Sequence, residues 1–317
     1  MKRALISGVS GQDGAYLAKL LLQKGYEVIG TSRDAHVSPF ANLKELDIFD
    51  QVRLVSMNLN DFRSVMQTLE DVRPHEIYSL AGQSSVGLSY QQPVETMESI
   101  SVGTLNLLEA IRFSRRPIKL YNACSSECFG DTLEPADEST PFRPISPYAV
   151  AKAAAYWTVS SYREAYDIFA CSGILYNHES PLRHTRFVTQ KIVSTVCAIV
   201  DGENIKLTLG NLDIRRDWGW APEYVEAMWL MLQQDNAEDY VVATGATHSL
   251  QDVVAHAFNV VGLDWSDHVV LDTTLYRPSD LYQSLADPSK AKEKLSWTAK
   301  VKMPEVIEKM MQAKLNS

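Results

Sequence analysis

Short apolar runs recur along the first half of the chain, and each is followed by a stretch with helical spacing. β-Prone runs occupy 3–7, 27–31, 52–57, 76–80, 118–123 and 169–175. Between them, apolar residues fall at the helical period over 15–24, 62–72, 102–112 and 148–166. Strands that alternate with helices predict an α/β fold with a doubly wound parallel sheet and right-handed crossovers. The second half is less regular. Residues 177–184 and 209–220 are rich in polar and turn-forming types. A helical stretch at 223–234 and a strand at 240–244 predict a return to the sheet. The expected division is a dinucleotide-binding lobe of residues 1–173 plus 223–248. A smaller, discontinuous α/β lobe of residues 174–222 plus 249–317 is expected to bind substrate.

Composition narrows the partners. A chain of 317 residues with 45% hydrophobic and 22% charged positions is long enough for a large core. Its net charge of -9 argues against nucleic acid or an anionic membrane surface as the main partner. The apolar run Ala4-Leu5-Ile6 is broken at once by Ser7-Gly8, which is not a signal-peptide pattern. No segment is apolar over the roughly 18 residues that a membrane span needs. Cys124, Cys128, Cys171 and Cys197 show no C-x-x-C spacing, and the seven histidines form no metal-binding pattern. Reduced thiols in a cytoplasmic protein, with no metal, are the expectation.

Candidate chemistry starts at the first strand's end. Gly8, Gly11 and Gly14 form G-x-x-G-x-x-G around Gln12 and Asp13, before an apolar helix. Glycines there let the backbone turn tightly and approach a pyrophosphate at the helix N-terminus. The second strand ends in Ser32-Arg33-Asp34. Ser32 and Arg33 suit a 2′-phosphate, which favours NADP, although Asp34 could instead contact a ribose hydroxyl. Asn58 and Leu59 follow the third strand, on the adenine side. Leu80, Ala81 and Gln83 follow the fourth, where small residues admit the nicotinamide ribose.

Tyr148 and Lys152 are four residues apart, so a helix puts them on one face. A free tyrosine has a pKa of about 10. A nearby ammonium favours the phenolate, so Tyr148 could take a proton from a substrate hydroxyl as a hydride leaves the same carbon. Ser125 and Glu127 follow the fifth strand. An acid–base group at Glu127 is what an elimination requires and a simple oxidation or epimerisation does not.

The glycine turn and the tyrosine–lysine pair resemble the extended short-chain dehydrogenase/reductase superfamily, whose fold is the Rossmann sheet. Within it the chain resembles the GDP-mannose 4,6-dehydratases over nearly its whole length. The resemblance is carried by Gly11-Gln12-Asp13-Gly14-Ala15-Tyr16-Leu17, Asn177-His178-Glu179-Ser180-Pro181, Arg215-Arg216-Asp217-Trp218-Gly219, Arg277-Pro278 and Asp287-Pro288-Ser289-Lys290-Ala291.

That resemblance implies oxidation of mannose at C4, loss of water across C5 and C6, and return of the hydride to C6. Tyr148 would take the O4 proton and Ser125 would hydrogen-bond O4. Glu127 would remove the C5 proton and protonate the departing hydroxyl, and Lys152 would also hold the nicotinamide ribose. The implied substrate, GDP-mannose, would meet Ser84, Ser85, Ser126, Asn177, Glu179 and Val188. Lys191, Arg216 and Arg277 would face its diphosphate, with Gly210, Asn211 and Asp280 near the nucleoside.

The chain departs from the family at Asp34, where an arginine is common, and in a shorter loop after it. It departs again at Asn58 and Asp280, where the family has aspartate and glutamate. A homo-oligomer, dimer or tetramer, paired through the 102 and 148 helices is the further implication. Two rivals stay open: a reductase of the 4-keto product and a non-catalytic nucleotide sensor.

Overall fold

The apolar runs of the first half fold into parallel strands, buried except for the edge strand Arg53–Ser56. The computed structural model describes residues 1–316. Its strands are β1 (Arg3–Ser7), β2 (Glu27–Ser32), β3 (Arg53–Ser56), β4 (Glu76–Ser79), β5 (Lys119–Ser125) and β6 (Ala170–Leu175), then β7 (Asn177–Glu179), β8 (Leu207–Leu209), β9 (Arg215–Trp220), β10 (Tyr240–Val242), β11 (Thr247–Ser249) and β12 (Val269–Leu271). Seven of them form one parallel sheet in the order β3-β2-β1-β4-β5-β6-β10. β4 and β6 are buried along their whole length, which is why neither alternates apolar with exposed polar positions. The strand order reverses between β1 and β4, and open α/β sheets bind ligands at such a switch point.

Helices cover both faces of the sheet. On one side Val65 and Leu69 meet Leu107, Ile111 and Val159, from the helices Phe62–Val72, Gly103–Ser114 and Pro147–Tyr166. On the other, Leu17 and Leu21 of Gln12–Gln23 pack with Met228 and Leu232 of Ala221–Gln233. The Pro147–Tyr166 helix has a sharp start. Ser146 Oγ accepts from the Ala149 N–H at 3.1 Å, and Pro147 occupies the first turn, where its missing N–H costs nothing. This start fixes where Tyr148 and Lys152 stand.

Beyond β6 the chain builds a second layer. β11, β9 and β7 form a small sheet, and β8 pairs with β12. The helices Val188–Val200, Leu250–Val260 and Met303–Leu315 enclose a separate core around Ile192, Val196, Val253, Phe258, Val306 and Met310. The Ala221–Gln233 helix and β10 return to the large sheet, as the pattern at 223–234 and 240–244 predicted. Two polar stretches, 177–184 and 209–220, differ from their turn-rich appearance because they contain β7 and β9. Glu179, Arg216 and Asp217 are buried there and held by specific partners, so these strands carry no apolar signal. The first helix starts at Gln12 rather than 15, because Gly11 already serves as its extended N-cap. Among the described residues, no helix is long and apolar enough to cross a membrane. No cluster of three or more His, Cys, Asp or Glu among them could hold a metal ion.

Candidate active site

Backbone crowding dictates the turn after β1. Gly8 has φ +79, and a Cβ there would sit 2.8 Å from the Ala81 nitrogen. A Cβ on Gly14 would sit 2.6 Å from Val9 Cα, so strand and helix pack only because it is absent. The turn opens on a cleft of about 530 Å³. Its wall includes Gly8, Gly11, Gln12, Asp13 and Gly14, then Ser32 and Arg33, Asn58 and Leu59, and Leu80, Ala81 and Gln83. Every cofactor residue expected from the first four strand ends therefore faces one space. A dinucleotide suits this cradle, because Gly8, Gly11 and Gly14 present only backbone to the cleft where the Gln12–Gln23 helix begins.

Arg33 projects into solvent, 83% exposed, with Glu95 as its nearest carboxylate at 4.0 Å. Asp34 instead caps its own turn, accepting from the His36 N–H at 2.9 Å.

Gln12 and Asp13 line the cleft but direct their side chains to β7. Gln12 Nε2 donates to the His178 carbonyl at 3.1 Å, and Ser180 Oγ donates to Gln12 Oε1 at 2.7 Å. His178 Nε2 lies 2.9 Å from Asp13 Oδ2, and its Nδ1 lies 2.7 Å from the Tyr176 carbonyl. Both ring nitrogens face acceptors, an arrangement that favours the protonated ring. Burial alone would raise the Asp13 pKa, but the His178 charge and hydrogen bonds outweigh it and bring it down to about 2. Burial opposes the charged His178 as well, yet Asp13 raises it.

A carboxylate with a depressed pKa stabilises the fold above its unfolded value near 3.9, and that contribution is lost as pH falls through about 2. Acid unfolding followed by near-ultraviolet circular dichroism should therefore include a transition in this window. Asp13→Asn should remove it.

The catalytic candidates converge on an adjoining cleft of about 370 Å³, lined by Ser125, Glu127, Tyr148 and Lys152. β5 ends at Ser125, and the tight turn Ser126–Phe129 carries Glu127. Ser125 Oγ accepts from the Glu127 N–H at 3.3 Å. Burial pushes the Tyr148 pKa up, and the nearby Ser125 hydroxyl only partly opposes it. Lys152 meets both the Tyr148 ring and the backbone. Its Nζ lies 5.8 Å from the Tyr148 ring centroid and donates to the Ala123 carbonyl at 2.6 Å, and burial lowers its own pKa. Burial likewise raises the Glu127 pKa, against the charge of Arg216, whose Nε stands 3.9 Å away.

Ser84, Ser85, Ser126, Asn177, Glu179, Val188, Lys191, Gly210, Arg216 and Arg277 line the same cleft. Within it, Glu179 accepts from Thr189 Oγ1 at 2.7 Å, and Lys191 Nζ donates to the Thr208 carbonyl at 2.6 Å. Two expected residues stand off the wall. Asn211 Oδ1 accepts from the Asp213 N–H at 2.9 Å. Asp280 Oδ1 accepts from Arg216 Nη2 at 3.0 Å and Arg277 Nη1 at 3.1 Å.

Two residues that sequence reasoning passed over, Arg183 and Arg186, line both clefts. Arg183 Nε is buried without a hydrogen-bond acceptor, although Glu179 Oε2 is 3.2 Å away off the N–H line. The only signal in the sequence was a basic pair just after the buried Ser180-Pro181 turn.

Comparisons with known proteins agree in kind. A family model described as GDP-mannose 4,6 dehydratase matches residues 5–310. GDP-mannose 4,6 dehydratase 1 of Arabidopsis thaliana is 44% identical, over 98% of this chain and 89% of that protein. GDP-mannose 4,6 dehydratase of Homo sapiens is 41% identical, over 98% of this chain and 90% of that protein. Among solved structures, dTDP-glucose 4,6-dehydratase of Bacillus anthracis in complex with NAD superposes with a TM-score of 0.87. It is 18% identical and the match spans 100% of this chain and 97% of that one, a likeness of fold.

Proposed function

The chain belongs to the GDP-mannose 4,6-dehydratase family, and we propose that it converts GDP-D-mannose to GDP-4-keto-6-deoxy-D-mannose through Ser125, Glu127, Tyr148 and Lys152. The observation that carries this reading is Glu127, a carboxyl only 15% exposed on the wall that also bears Tyr148 and Ser125. Burial raises its pKa, which lets one group take a proton and give it back. Tyr148 takes the proton from O4, with Ser125 hydrogen-bonded to the same oxygen. A bound nicotinamide dinucleotide supplies the hydride acceptor at C4 and the hydride donor at C6. The 4-keto group acidifies C5, whose proton Glu127 removes. Glu127 then protonates the C6 hydroxyl as it leaves as water. C5 regains a proton, with solvent exchange, as the hydride returns to C6, and the proton held by Tyr148 balances this gain. Lys152, anchored on the Ala123 carbonyl, holds the ribose hydroxyls beside Tyr148.

Arg216, Arg277 and Lys191 hold the diphosphate. Asp280, bridging two of these arginines, steadies them and meets the nucleoside ribose only at its edge. The lobes divide as residues 1–173 plus 223–248 and 174–222 plus 249–317, supported by the return of β10 to the large sheet. Exposed Val102, Leu105, Val150 and Trp157 on two neighbouring helices support pairing with a second copy. Four free, buried cysteines support a reducing, cytoplasmic setting.

NADP is the cofactor we infer, held at the 2′-phosphate by Ser32 and Arg33, since Asp34 is turned into its own loop. Arg33→Ala should raise the KM for NADP by about tenfold, the worth of one charge-assisted contact, and leave the KM for NAD unchanged. Steady-state kinetics with both cofactors checks this.

Incubation with GDP-mannose and a trace of NADP, read by mass spectrometry, tests the reaction. The product should be lighter than the substrate by one water. A reductase would consume reduced cofactor in step with product, and a sensor would bind without turnover. Either result would end the dehydratase reading.

A further inference from the structure

Two cysteines bracket the catalytic turn and have no part in the proposed reaction. Cys124 is the penultimate residue of β5, and Cys128 lies in the Ser126–Phe129 turn. Ser125 and Glu127 stand between them. Their sulfurs are 3.8 Å apart. Cys124 reaches the wall of the smaller cleft, whereas Cys128 is fully buried behind it.

We propose that Cys124 and Cys128 are an oxidisable dithiol, a modification site at which a hydroperoxide closes a disulfide and pulls Ser125 and Glu127 out of their working positions.

Access decides the order of events. A small peroxide that enters the cleft meets Cys124 first. The Cys124 sulfur attacks hydrogen peroxide and the O–O bond breaks. One water leaves, and Cys124 becomes a sulfenic acid. The Cys128 thiol then gives up its proton and attacks the Cys124 sulfur. The S–O bond breaks, a second water leaves, and the S–S bond forms. Two thiols and one peroxide thus become one disulfide and two waters.

A disulfide needs its sulfurs about 2.05 Å apart, so the 3.8 Å gap must close by about 1.8 Å. The short turn between them takes up that movement. Cys128 Sγ now donates to the Ala149 carbonyl at 3.5 Å, beside Tyr148, and would give up this contact as well. Burial and the neighbouring Cys124 push the Cys128 thiol well above its ordinary pKa, and the Lys152 charge only partly opposes them. The other two cysteines lie elsewhere. Cys171 donates to the Leu120 carbonyl inside the large sheet, and Cys197 belongs to the second core.

The test treats the full-length protein with hydrogen peroxide, alkylates remaining thiols, and weighs the tryptic peptide 120–152, which contains both cysteines. Turnover of GDP-mannose is followed in parallel. The peptide should become lighter by two hydrogens and resist alkylation. Turnover should fall about 10²-fold at the same rate, as a displacement of order 1 Å at reacting groups does. A dithiol reductant should restore both. Cys128→Ser keeps a donor to Ala149 and should hold its activity through the same treatment. If it misfolds, Cys128→Ala gives the same comparison.

The proposal is overturned if both cysteines in the treated protein still alkylate. It is equally overturned if the linked enzyme keeps full turnover, or if the Cys128 variant is inactivated as fast as the natural chain. The activity arm rests on the dehydratase reading, whereas the peptide mass does not, so failure of one is distinguishable from failure of the other.

Discussion

Glu127→Gln should lower turnover of GDP-mannose by about 10²–10⁴-fold, the usual contribution of a positioned acid–base group, and leave sugar-nucleotide binding intact. The amide keeps the shape of the carboxyl and still accepts a contact from Arg216, whose Nε stands 3.9 Å from the native side chain. It can neither take the C5 proton nor protonate the leaving hydroxyl. The loss should appear in kcat with KM little changed, because the missing interaction exists only during elimination. Isotope exchange gives a second reading. In heavy water the native enzyme should place solvent deuterium at C5 of the product, and the variant should exchange nothing there. A fully active Glu127→Gln enzyme would remove the carboxyl from the mechanism.

Tyr148→Phe should cost a comparable factor, about 10²–10⁴, by removing the acceptor for the O4 proton. Its effect on the fold should be small, because the ring stays buried and only the hydroxyl beside Ser125 is lost. A thermal melt and a binding titration separate the two effects. In the native enzyme, burial holds the phenol above its ordinary pKa, so the proton-accepting form is scarce at neutral pH. Activity should therefore rise with pH on the alkaline side, and this rise should be absent from the residual activity of the phenylalanine variant.

Periodicity located six strands of the large sheet and their helices because most of those strands are buried on both faces, β4 and β6 throughout, whereas the edge strand β3 is only partly covered. The glycine turn was equally legible, since Gly8 and Gly14 sit where backbone atoms leave no room for a Cβ. Legibility failed where polar residues are buried. β7 and β9 carry Glu179, Arg216 and Asp217, whose burial is made possible by partners distant in sequence. The two jobs of Gln12 and Asp13, cleft wall and clasp to His178, also depend on contacts with a residue 166 and 165 positions further along the chain. Asn211 and Asp280 were expected at the nucleoside, yet their carbonyl and carboxylate oxygens have nearer donors. Lys152 shares a helical face with Tyr148 as its spacing required, but spacing could not reveal that the Ala123 carbonyl holds its ammonium.

The seventh strand of the large sheet, β10, is threaded after β7, β8 and β9. A ribosome therefore releases β6 long before its neighbour exists. Until Tyr240–Val242 emerges, one side of β6 presents unpaired peptide groups, the kind of edge that recruits other chains. Nascent chains stalled short of that point, or fragments cut before it, should clump, and efficient biogenesis depends on the remaining segment arriving promptly.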